Sequence, residues 1–306
     1  MPLHSWIKIS DEAIKEGMLF VSLSGGECFL YPHFRELYKH LYKKGVLIYL
    51  LTNGVLLESM MDLFLKMPPA LIQISLYGAN EENYFALTGK KVYKIVCSAI
   101  NQCVQNNLRI SISITPSKFM KDTIDIVKLC KKIGISFNIN SWLTAPNENT
   151  GRNLKDFDLS PVESAHLKLL IREANGIPTP VPYTGKLPDS NFGRNSKENE
   201  YHGLLCTAGR NNFSIDWEGK MHLCTSLPTP VGEPLKEGFS LVWKKAQIMA
   251  DEYVMPVECF DCAYEHVCTH CPARHLANAP IGHCNKNVCQ EARELVKLGF
   301  CDCQNK

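Results

Sequence analysis

The sequence predicts an α/β fold in its first half, followed by a small cysteine-rich domain, and two observations support this. Between residue 10 and about residue 143, short β-rich runs alternate with segments whose apolar residues recur every 3.6 residues. Such alternation indicates right-handed βαβ units, with helices covering a parallel sheet. Ten of the fourteen cysteines lie between Cys206 and Cys303, so the last third of the chain has a chemistry of its own.

Five β-rich runs predict the strands of the sheet. They are residues 19–25, 46–54, 71–78, 109–117 and 135–143. Four helices are predicted between them, within residues 34–41, 56–65, 92–104 and 124–133. The strand runs are nearly continuous in apolar residues, which is typical of strands that are buried on both faces.

Glycine and polar residues follow the first four strands at their carboxyl ends. They are Gly25-Gly26-Glu27, Thr52-Asn53-Gly54, residues 75–78 and residues 115–117. Ligands bind at this edge of parallel α/β sheets, and glycine lets a small molecule approach the backbone. The pattern predicts a small-molecule site there, although turn or cap roles remain an alternative for each residue.

A helix and a long connection follow the predicted sheet. The helix covers residues 160–174, with Ser160 as its N-cap and Pro161 in its first turn. Residues 175–203 are rich in Pro, Gly, Asn and Ser, which indicates a connection or lid. The predicted domains are therefore 1–145, 146–203 and 204–306.

Composition excludes several classes of protein. The 306 residues are 45% hydrophobic and 21% charged, with a formal net charge of +2, which is ordinary for a globular protein. No basic run is long enough to follow a phosphate backbone, so nucleic acid is not an expected partner. No apolar stretch has the length of a membrane span, and the N-terminus lacks a secretory signal pattern. We therefore expect a cytoplasmic protein with no membrane partner.

The cysteine spacing predicts a metal site. Two CxxC pairs, Cys259 with Cys262 and Cys268 with Cys271, are separated by five residues. A CxxC allows both thiolates to reach one metal, and disulfides are disfavoured in a reducing compartment. Structural zinc and iron–sulfur clusters both accept such spacing, so the spacing leaves the metal open.

Other cysteines fall into two kinds. Cys206 and Cys224 flank a predicted hairpin with its turn at Glu218-Gly219, which would bring them close together. In the first half, single cysteines stand in apolar or helical segments, where a free thiol acts as a small hydrophobe. These are Cys28, Cys97, Cys103 and Cys130.

Two sets of motifs resemble those of one enzyme family. Strand ends reading SGGE, TNG and ISLYG resemble the cofactor-binding half of a radical S-adenosylmethionine (radical SAM) enzyme. The C-terminal pattern resembles the SPASM extension of that superfamily, and it reads Cys206-x12-Gly219-x4-Cys224, then Cys259-x2-Cys262-x5-Cys268-x2-Cys271 and a late cysteine. The resemblance implies a partial (β/α) barrel without its first strand and cluster loop, followed by a SPASM domain.

The resemblance also implies a cofactor site. Gly25, Gly26 and Glu27 would lie along the methionyl end of S-adenosylmethionine, with the glutamate and exposed carbonyls accepting hydrogen bonds from its ammonium group. Ser75 would reach the ribose. The remaining residues implied at the cavity are Asn53 and Thr115.

Two auxiliary four-iron clusters are implied as well. Their ligands would be Cys206, Cys224 and Cys271 for the first cluster, and Cys259, Cys262, Cys268 and Cys289 for the second. Cys289 is preferred to Cys284 because it opens a predicted helix, residues 289–299. Cys301 or Cys303 would either complete the first cluster or belong to an unligated tail.

Three departures from the family pattern stand out. Only two residues separate Cys268 from Cys271, where three are usual, and Cys28 stands where the family usually has proline, so we expect it to be a buried apolar substitute. The CxxxCxxC motif that holds the radical-generating cluster is absent from the 306 residues. We therefore expect the chain to be N-terminally truncated relative to the family and unable to cleave the cofactor by itself.

The implied chemistry is reductive cleavage of S-adenosylmethionine to a 5'-deoxyadenosyl radical that abstracts hydrogen from a substrate. SPASM enzymes mostly modify peptides or proteins, so a precursor peptide or protein is the implied substrate and flavodoxin or ferredoxin the implied reductant. One alternative is a non-catalytic zinc or iron–sulfur module that binds peptides. Another is a sulfatase-maturing or small-molecule-modifying radical enzyme.

Overall fold

The computed structural model describes residues 1–140, 156–180, 182, 203–259, 262–276 and 283–300. The chain divides into two compact units, Met1–Leu143 and Thr144–Lys306. In the described ranges, no helix combines the length and the apolar character that a membrane span requires.

Five parallel strands form the sheet of the first unit, one within each predicted run. They are β1 (Phe20–Leu23), β2 (Leu47–Thr52), β3 (Leu71–Ser75), β4 (Ile110–Ile114) and β5 (Ser136–Ile139). Each strand pairs in parallel with the next one along the chain, which confirms the predicted parallel sheet. The strands are shorter than the runs because the glycines and polar residues at their carboxyl ends leave the ladder; residues 141–143 of the fifth run lie outside the described residues.

The strand register gives the sheet two different faces. Gln73 pairs with Ser111 and Ser75 pairs with Ser113, so these polar side chains share one face, which we call the open face. The other face carries buried aliphatic residues, namely Ile48, Leu50, Ile72, Ile74, Ile110, Ile112 and Ile114. The prediction of strands that are apolar on both faces is therefore wrong for β3 and β4, because only one of their faces is aliphatic.

Within residues 1–140, six α-helices accompany the sheet. They are α1 (Leu3–Lys15), α2 (Phe34–Lys43), α3 (Met61–Phe64), α4 (Glu81–Thr88), α5 (Tyr93–Gln105) and α6 (Thr123–Lys132). Each of the four predicted segments contains a helix, although α3 is only one turn long and follows a 3-10 turn, Leu57–Met60. Helix α4 was missed by the sequence prediction, although Asn80 caps it by accepting from the Asn83 N–H at 2.9 Å.

The second unit combines helices with a small antiparallel sheet. Its described elements are α7 (Pro161–Ala174), β6 (Ser214–Ile215), β7 (Met221–His222), β8 (Pro230–Gly232), α8 (Pro234–Glu237), α9 (Phe239–Asp251), α10 (Pro272–Leu276) and α11 (Lys286–Lys297). The N-cap prediction for α7 is confirmed, since Ser160 and Glu163 form a reciprocal capping box.

The predicted hairpin is formed by β6 and β7, which pair antiparallel. One Asp216 carboxylate oxygen accepts from the N–H groups of Glu218 and Lys220, both at 2.9 Å. Gly219 follows with φ of 90°, a conformation that favours glycine. The third strand, β8, pairs with β7 and was not predicted.

A buried carboxylate ties α7 to α11. Glu291 is 3% exposed and accepts from Ser164 Oγ at 2.9 Å and Lys168 Nζ at 2.6 Å, as well as from the Arg274 guanidinium. Burial raises the pKa of this carboxyl, but Arg274 and Lys168 outweigh burial, so the pKa is lowered. Helix α7, which the sequence placed in a separate segment 146–203, thus packs against α11 of the second unit.

Gly78 offers a test of the packing at the end of β3. A Cβ at Gly78 would lie 2.5 Å from the backbone N of Tyr84 and 2.9 Å from the carbonyl carbon of Asn83, so the start of α4 would have to move. We expect Gly78→Ala to lower the free energy of unfolding by about 1–3 kcal/mol, measured by urea unfolding. Gly26→Ala is the matched control, because its Cβ would meet nothing within 4 Å. Equal stabilities for the two variants would contradict this packing.

Glu291 offers a test in the second unit. Glu291→Gln would leave the charges of Lys168 and Arg274 without their counter-ion, so we expect a loss of about 3 kcal/mol at neutral pH. The folded pKa of Glu291 lies below its usual value of 4.5, so the difference between wild type and variant should persist above pH 4.5 and vanish as the pH falls through the folded pKa.

The matched control is Glu294→Gln on the same helix, whose partner Lys297 is half-exposed. That change should cost less than about 1 kcal/mol. A Glu291→Gln variant as stable as this control would show that the buried ion pairs do not hold α7 on α11.

Candidate functional site

Three of the residues implied for the cofactor lie at one edge of the open face. Thr52 pairs with Ile74, so Asn53 stands level with Ser75 on neighbouring strands. Ser75 pairs with Ser113, and Thr115 follows Ser113 by two residues on the same face. The parallel register therefore gathers side chains that are 62 residues apart in sequence, from Asn53 to Thr115, at the carboxyl ends of β2, β3 and β4.

The two glycines after β1 leave open space beside the backbone. Gly25 has φ of 141°, a conformation that L side chains rarely adopt. A Cβ built on Gly25 or Gly26 would meet no protein atom within 4 Å, and both residues are exposed. A ligand can therefore approach this backbone, and the two glycines fit the methionyl end of S-adenosylmethionine.

Glu27 makes its hydrogen bonds within the protein. Its carboxylate accepts from Thr52 Oγ1 at 2.9 Å, from the Asn53 N–H at 2.8 Å and from the Phe29 N–H at 3.3 Å. These bonds join the loop after β1 to the end of β2. Glu27 therefore holds these two segments together through hydrogen bonds. The sequence predicted a contact with a ligand ammonium group and did not predict this structural role.

Asn53, Ser75 and Thr115 differ in whether their side chains already make a hydrogen bond within the described part of the protein. Asn53 Oδ1 accepts from the Val55 N–H at 2.9 Å, so its side chain shapes the turn after β2. The hydroxyls of Ser75 and Thr115 make no hydrogen bond with any described residue and are partly exposed. These two hydroxyls are free to bond a polar ligand at the edge of the sheet.

The single cysteines of the first unit have the character of buried thiols. Cys28 is 7% exposed, and its Sγ contacts the Leu51 carbonyl oxygen at 3.4 Å; burial raises its thiol pKa. Burial likewise raises the pKa of Cys103 and of Cys130 to about 11. Neutral, apolar thiols of this kind pack as small hydrophobes, which confirms the expectation for Cys28.

In the second unit, one group of cysteines forms around Cys224. Burial raises the pKa of the Cys224 thiol, and the neighbouring Cys271 and Cys206 thiols raise it further. Gly209 has φ of 71°, and a Cβ there would lie 2.7 Å from a Leu223 methyl. The turn after Cys206 therefore packs directly on the residue before Cys224, and we call Cys206, Cys224 and Cys271 the first sulfur group.

A second group forms around Cys259. The sulfurs of Cys259 and Cys284 and one ring nitrogen of His275 all lie within 4.8 Å of one another. The Cys284 and Cys289 sulfurs are 2.6 Å apart. Burial raises the pKa of the Cys268 thiol, and the nearby charges of Cys259 and Cys289 raise it further. We call Cys259, Cys268, Cys284 and Cys289 the second sulfur group.

Thiolate character is concentrated in the second sulfur group. The hydrogen bond from Cys284 lowers the pKa of the Cys259 thiol to about 3, with burial opposing and His270 and His275 adding to the effect. A hydrogen-bond contact with Cys284 also lowers the pKa of the Cys289 thiol, whereas Cys284 itself has a raised pKa, so its single S–H serves whichever neighbour is ionised. Since the thiolate is the form that binds metals, the donor set fits a metal centre.

Buried polar residues hold the segments that carry this group. Glu258, 7% exposed, accepts from the Cys284 N–H at 3.3 Å and from His283 Nδ1 at 3.2 Å, which links the Cys259 segment to the Cys284 segment. Asn285 caps α11 by accepting from the Asn287 N–H at 2.9 Å. Helix α11 therefore starts at Lys286, and the prediction that Cys289 opens the helix is wrong by three residues.

The remaining cysteines can be placed only in part. Cys262 packs beside Cys268 against Tyr264, Ala292 and Val296, so both cysteines contact α11. Cys301 and Cys303 lie outside the described residues. Sequence reasoning missed His275 as a neighbour of these thiols and set Cys284 aside; a tract rich in Cys and His, residues 266–275, was the available signal.

Comparison with known proteins places the first unit in a family. The family model described as the Radical SAM superfamily matches residues 1–150. AdoMet-dependent heme synthase from Methanosarcina barkeri is 23% identical over 87% of this chain and 81% of that protein. The subtilosin biosynthesis protein AlbA from Bacillus subtilis is 23% identical over 95% of this chain and 64% of that protein. A GTP 3',8-cyclase from Aliarcobacter butzleri is 31% identical over 43% of this chain and 41% of that protein.

Solved structures show a similar fold. SuiB from Streptococcus suis, bound to S-adenosylmethionine, aligns with a TM-score of 0.68 and 17% identity over 95% of this chain and 70% of that one. The enzyme anSMEcpe, bound to AdoMet and the Kp18Cys peptide, aligns with a TM-score of 0.69 and 17% identity over 97% of this chain and 87% of that one. The parallel sheet and the family match over residues 1–150 show that the first half of the chain is a radical SAM domain.

Proposed function

We propose that the chain is a SPASM-type radical S-adenosylmethionine enzyme that modifies a peptide or protein. The observation that carries the proposal is the gathering of cysteine sulfurs into two groups in the second unit. In the sequence, this unit follows a region that matches the radical SAM superfamily. A closed zinc site needs four ligands, whereas seven or more cysteines in two groups suit a pair of four-iron clusters.

Each sulfur group would hold one auxiliary cluster. Cys206, Cys224 and Cys271 would bind the first. Cys259, Cys262 and Cys268 would bind the second together with Cys289, which lies near Cys259 and Cys268. Cys284 would then stay a protonated thiol that donates its single S–H to the Cys289 sulfur beside it.

The edge of the open face would hold S-adenosylmethionine. The exposed backbone at Gly25 and Gly26 would lie along its methionyl part. The hydroxyls of Ser75 and Thr115, which no described residue bonds, would bond its polar groups. Glu27 would act mainly by fixing the two glycines against β2. In this superfamily the cofactor is cleaved at a radical-generating iron–sulfur cluster, whose CxxxCxxC motif is absent from the 306 residues. Where that cluster is supplied, the cofactor would provide the carbon radical that abstracts hydrogen from a substrate.

A peptide or protein is the substrate class that we favour. AlbA is a bacteriocin biosynthesis protein that aligns with 95% of this chain, and anSMEcpe was solved with a bound peptide. We place the reaction in the cytoplasm, where the thiols stay reduced, and assign electron supply to a flavodoxin or ferredoxin.

A small-molecule substrate is the second candidate. AdoMet-dependent heme synthase aligns with 87% of this chain and 81% of its own length, which is a fuller mutual match than that of AlbA. Its name points to a tetrapyrrole rather than a peptide. Parallel binding assays with a panel of precursor peptides and with tetrapyrroles would distinguish the two substrate classes.

Metal content tests the cluster assignment. Anaerobic reconstitution of the 306-residue chain should yield iron and acid-labile sulfide equivalent to about two four-iron clusters. Cys289→Ala should lose about one cluster, because it removes a proposed ligand, whereas Cys284→Ala should retain both. Cys97→Ala, in the first unit, is the control for thiol loss alone.

Two results would contradict the assignment. Bound zinc without acid-labile sulfide would indicate a structural zinc module. Loss of a cluster in Cys284→Ala, with both clusters retained in Cys289→Ala, would exchange the roles of these cysteines.

Cofactor binding tests the role of the first unit. Glu27→Ala would release Gly25 and Gly26 from β2, so we expect S-adenosylmethionine affinity to fall about tenfold, equivalent to about 1.4 kcal/mol, in equilibrium dialysis. The iron content should not change. Glu82→Ala, which alters an exposed glutamate of α4, is the matched control. Unchanged affinity in Glu27→Ala would show that the cofactor binds elsewhere.

A further inference from the structure

The imidazole of His275 is held in one orientation by its neighbours. The side chain is 2% exposed, and its Nδ1 accepts a hydrogen bond from the backbone N–H of Asn285 at 3.2 Å. A ring nitrogen that accepts a hydrogen bond carries a lone pair, so the neutral ring bears its hydrogen on Nε2. The donor side of His275 is therefore Nε2–H.

This Nε2–H makes no hydrogen bond within the described part of the chain. The atom is fully buried and has no hydrogen-bond partner among the described residues, whether oxygen, nitrogen or sulfur. The sulfurs of Cys259 and Cys284 lie within 4.8 Å of one ring nitrogen of His275. A buried donor without a partner costs about 1–3 kcal/mol, and a thiolate is the acceptor that this site offers.

The alternative is that His275 binds a metal through Nε2. That role needs the lone pair on Nε2 and the hydrogen on Nδ1. Nδ1–H would then face the N–H of Asn285, and two donors would point at each other. The same Asn285 donates its side-chain amide to the Arg274 carbonyl oxygen at 2.9 Å, so its backbone cannot turn away without breaking a second bond.

We propose that His275 is a positioning residue that donates an Nε2–H···S hydrogen bond to Cys259 at the second sulfur group, and is not itself a metal ligand. The proposal rests on the metal binding proposed above for this group. With an iron–sulfur cluster present, a donor to a ligand sulfur stabilises the more negative, reduced state and so raises the reduction potential.

Metal content separates donor from ligand. The full chain is reconstituted anaerobically with iron and sulfide, and His275→Phe and His275→Gln are compared with wild type. Retention of the wild-type metal content by His275→Gln supports a donor role, because the glutamine amide can still donate. Loss of one site's metal from both variants while their far-UV circular dichroism stays native overturns it. This comparison of metal content can be made with zinc as well as with iron. Which metal the wild-type protein binds is a separate test, and it bears on the proposed function.

Spectroscopy on the wild-type protein gives a second test. In the reduced, iron-loaded chain, pulsed electron paramagnetic resonance should show an exchangeable proton coupled to the cluster and no strong ¹⁴N coupling. A strong ¹⁴N coupling of a directly bound imidazole, lost in His275→Gln, would overturn the proposal.

Potentiometry gives the functional readout. The midpoint potential of the second cluster should shift to a more negative value in His275→Phe and return part of the way in His275→Gln. His166→Gln is the matched control, since His166 is an exposed histidine of α7 whose ring bonds the Val162 carbonyl oxygen rather than a sulfur, and the midpoint potential of that variant should stay at the wild-type value. An unshifted potential in His275→Phe would overturn the proposal.

Discussion

The parallel strand register is the constraint on which the first unit depends. Because successive residues point to opposite faces, one register collects isoleucines on one face and polar side chains on the other. Each fully buried isoleucine contributes about 1.5–3 kcal/mol, so the aliphatic face fixes the register. The positions of Ser75 and Thr115 follow from it, and a slip of one residue would bury both hydroxyls and expose the aliphatic core. Stability and site geometry therefore come from the same pairing.

Glu27 shows how a motif acquires its role from distant neighbours. In sequence it is a bare acid after two glycines, the pattern expected of a ligand contact. In the structure its carboxylate bonds Thr52 and Asn53, which stand 25 and 26 residues further along the chain. A carboxylate that accepts several protein hydrogen bonds has little capacity left for a ligand. Gly25 and Gly26 are thus the part of the motif that a ligand can reach, and Glu27 fixes their position against β2.

Much of the fold was predictable from sequence, and the failures have identifiable causes. Apolar periodicity found the five strands, and CxxC spacing found the metal-binding region. Helix α4 was missed because its apolar face is weak, although Asn80 marked its start. The start of α11 was misplaced because Cys289 was taken to open the helix, as the late cysteine of the family does, and the cap at Asn285 was overlooked. His275 could not be found from spacing, because only the tertiary contact with Asn285 shows which ring nitrogen faces the thiols.

Helix α10 follows Cys271 of the first sulfur group and carries His275, which contacts the second. The Cys271 carbonyl accepts from the N–H groups of Arg274 and His275 at 3.1 and 3.2 Å, so α10 starts at a member of the first group. One turn later, about 5.4 Å along the axis, His275 faces the second group. Arg274 bonds buried Glu291 on α11, and Asn285 holds both Arg274 and His275. This single turn therefore joins a residue of the first group to a residue that contacts the second group, and its hydrogen bonds with Glu291 and Asn285 hold it in place.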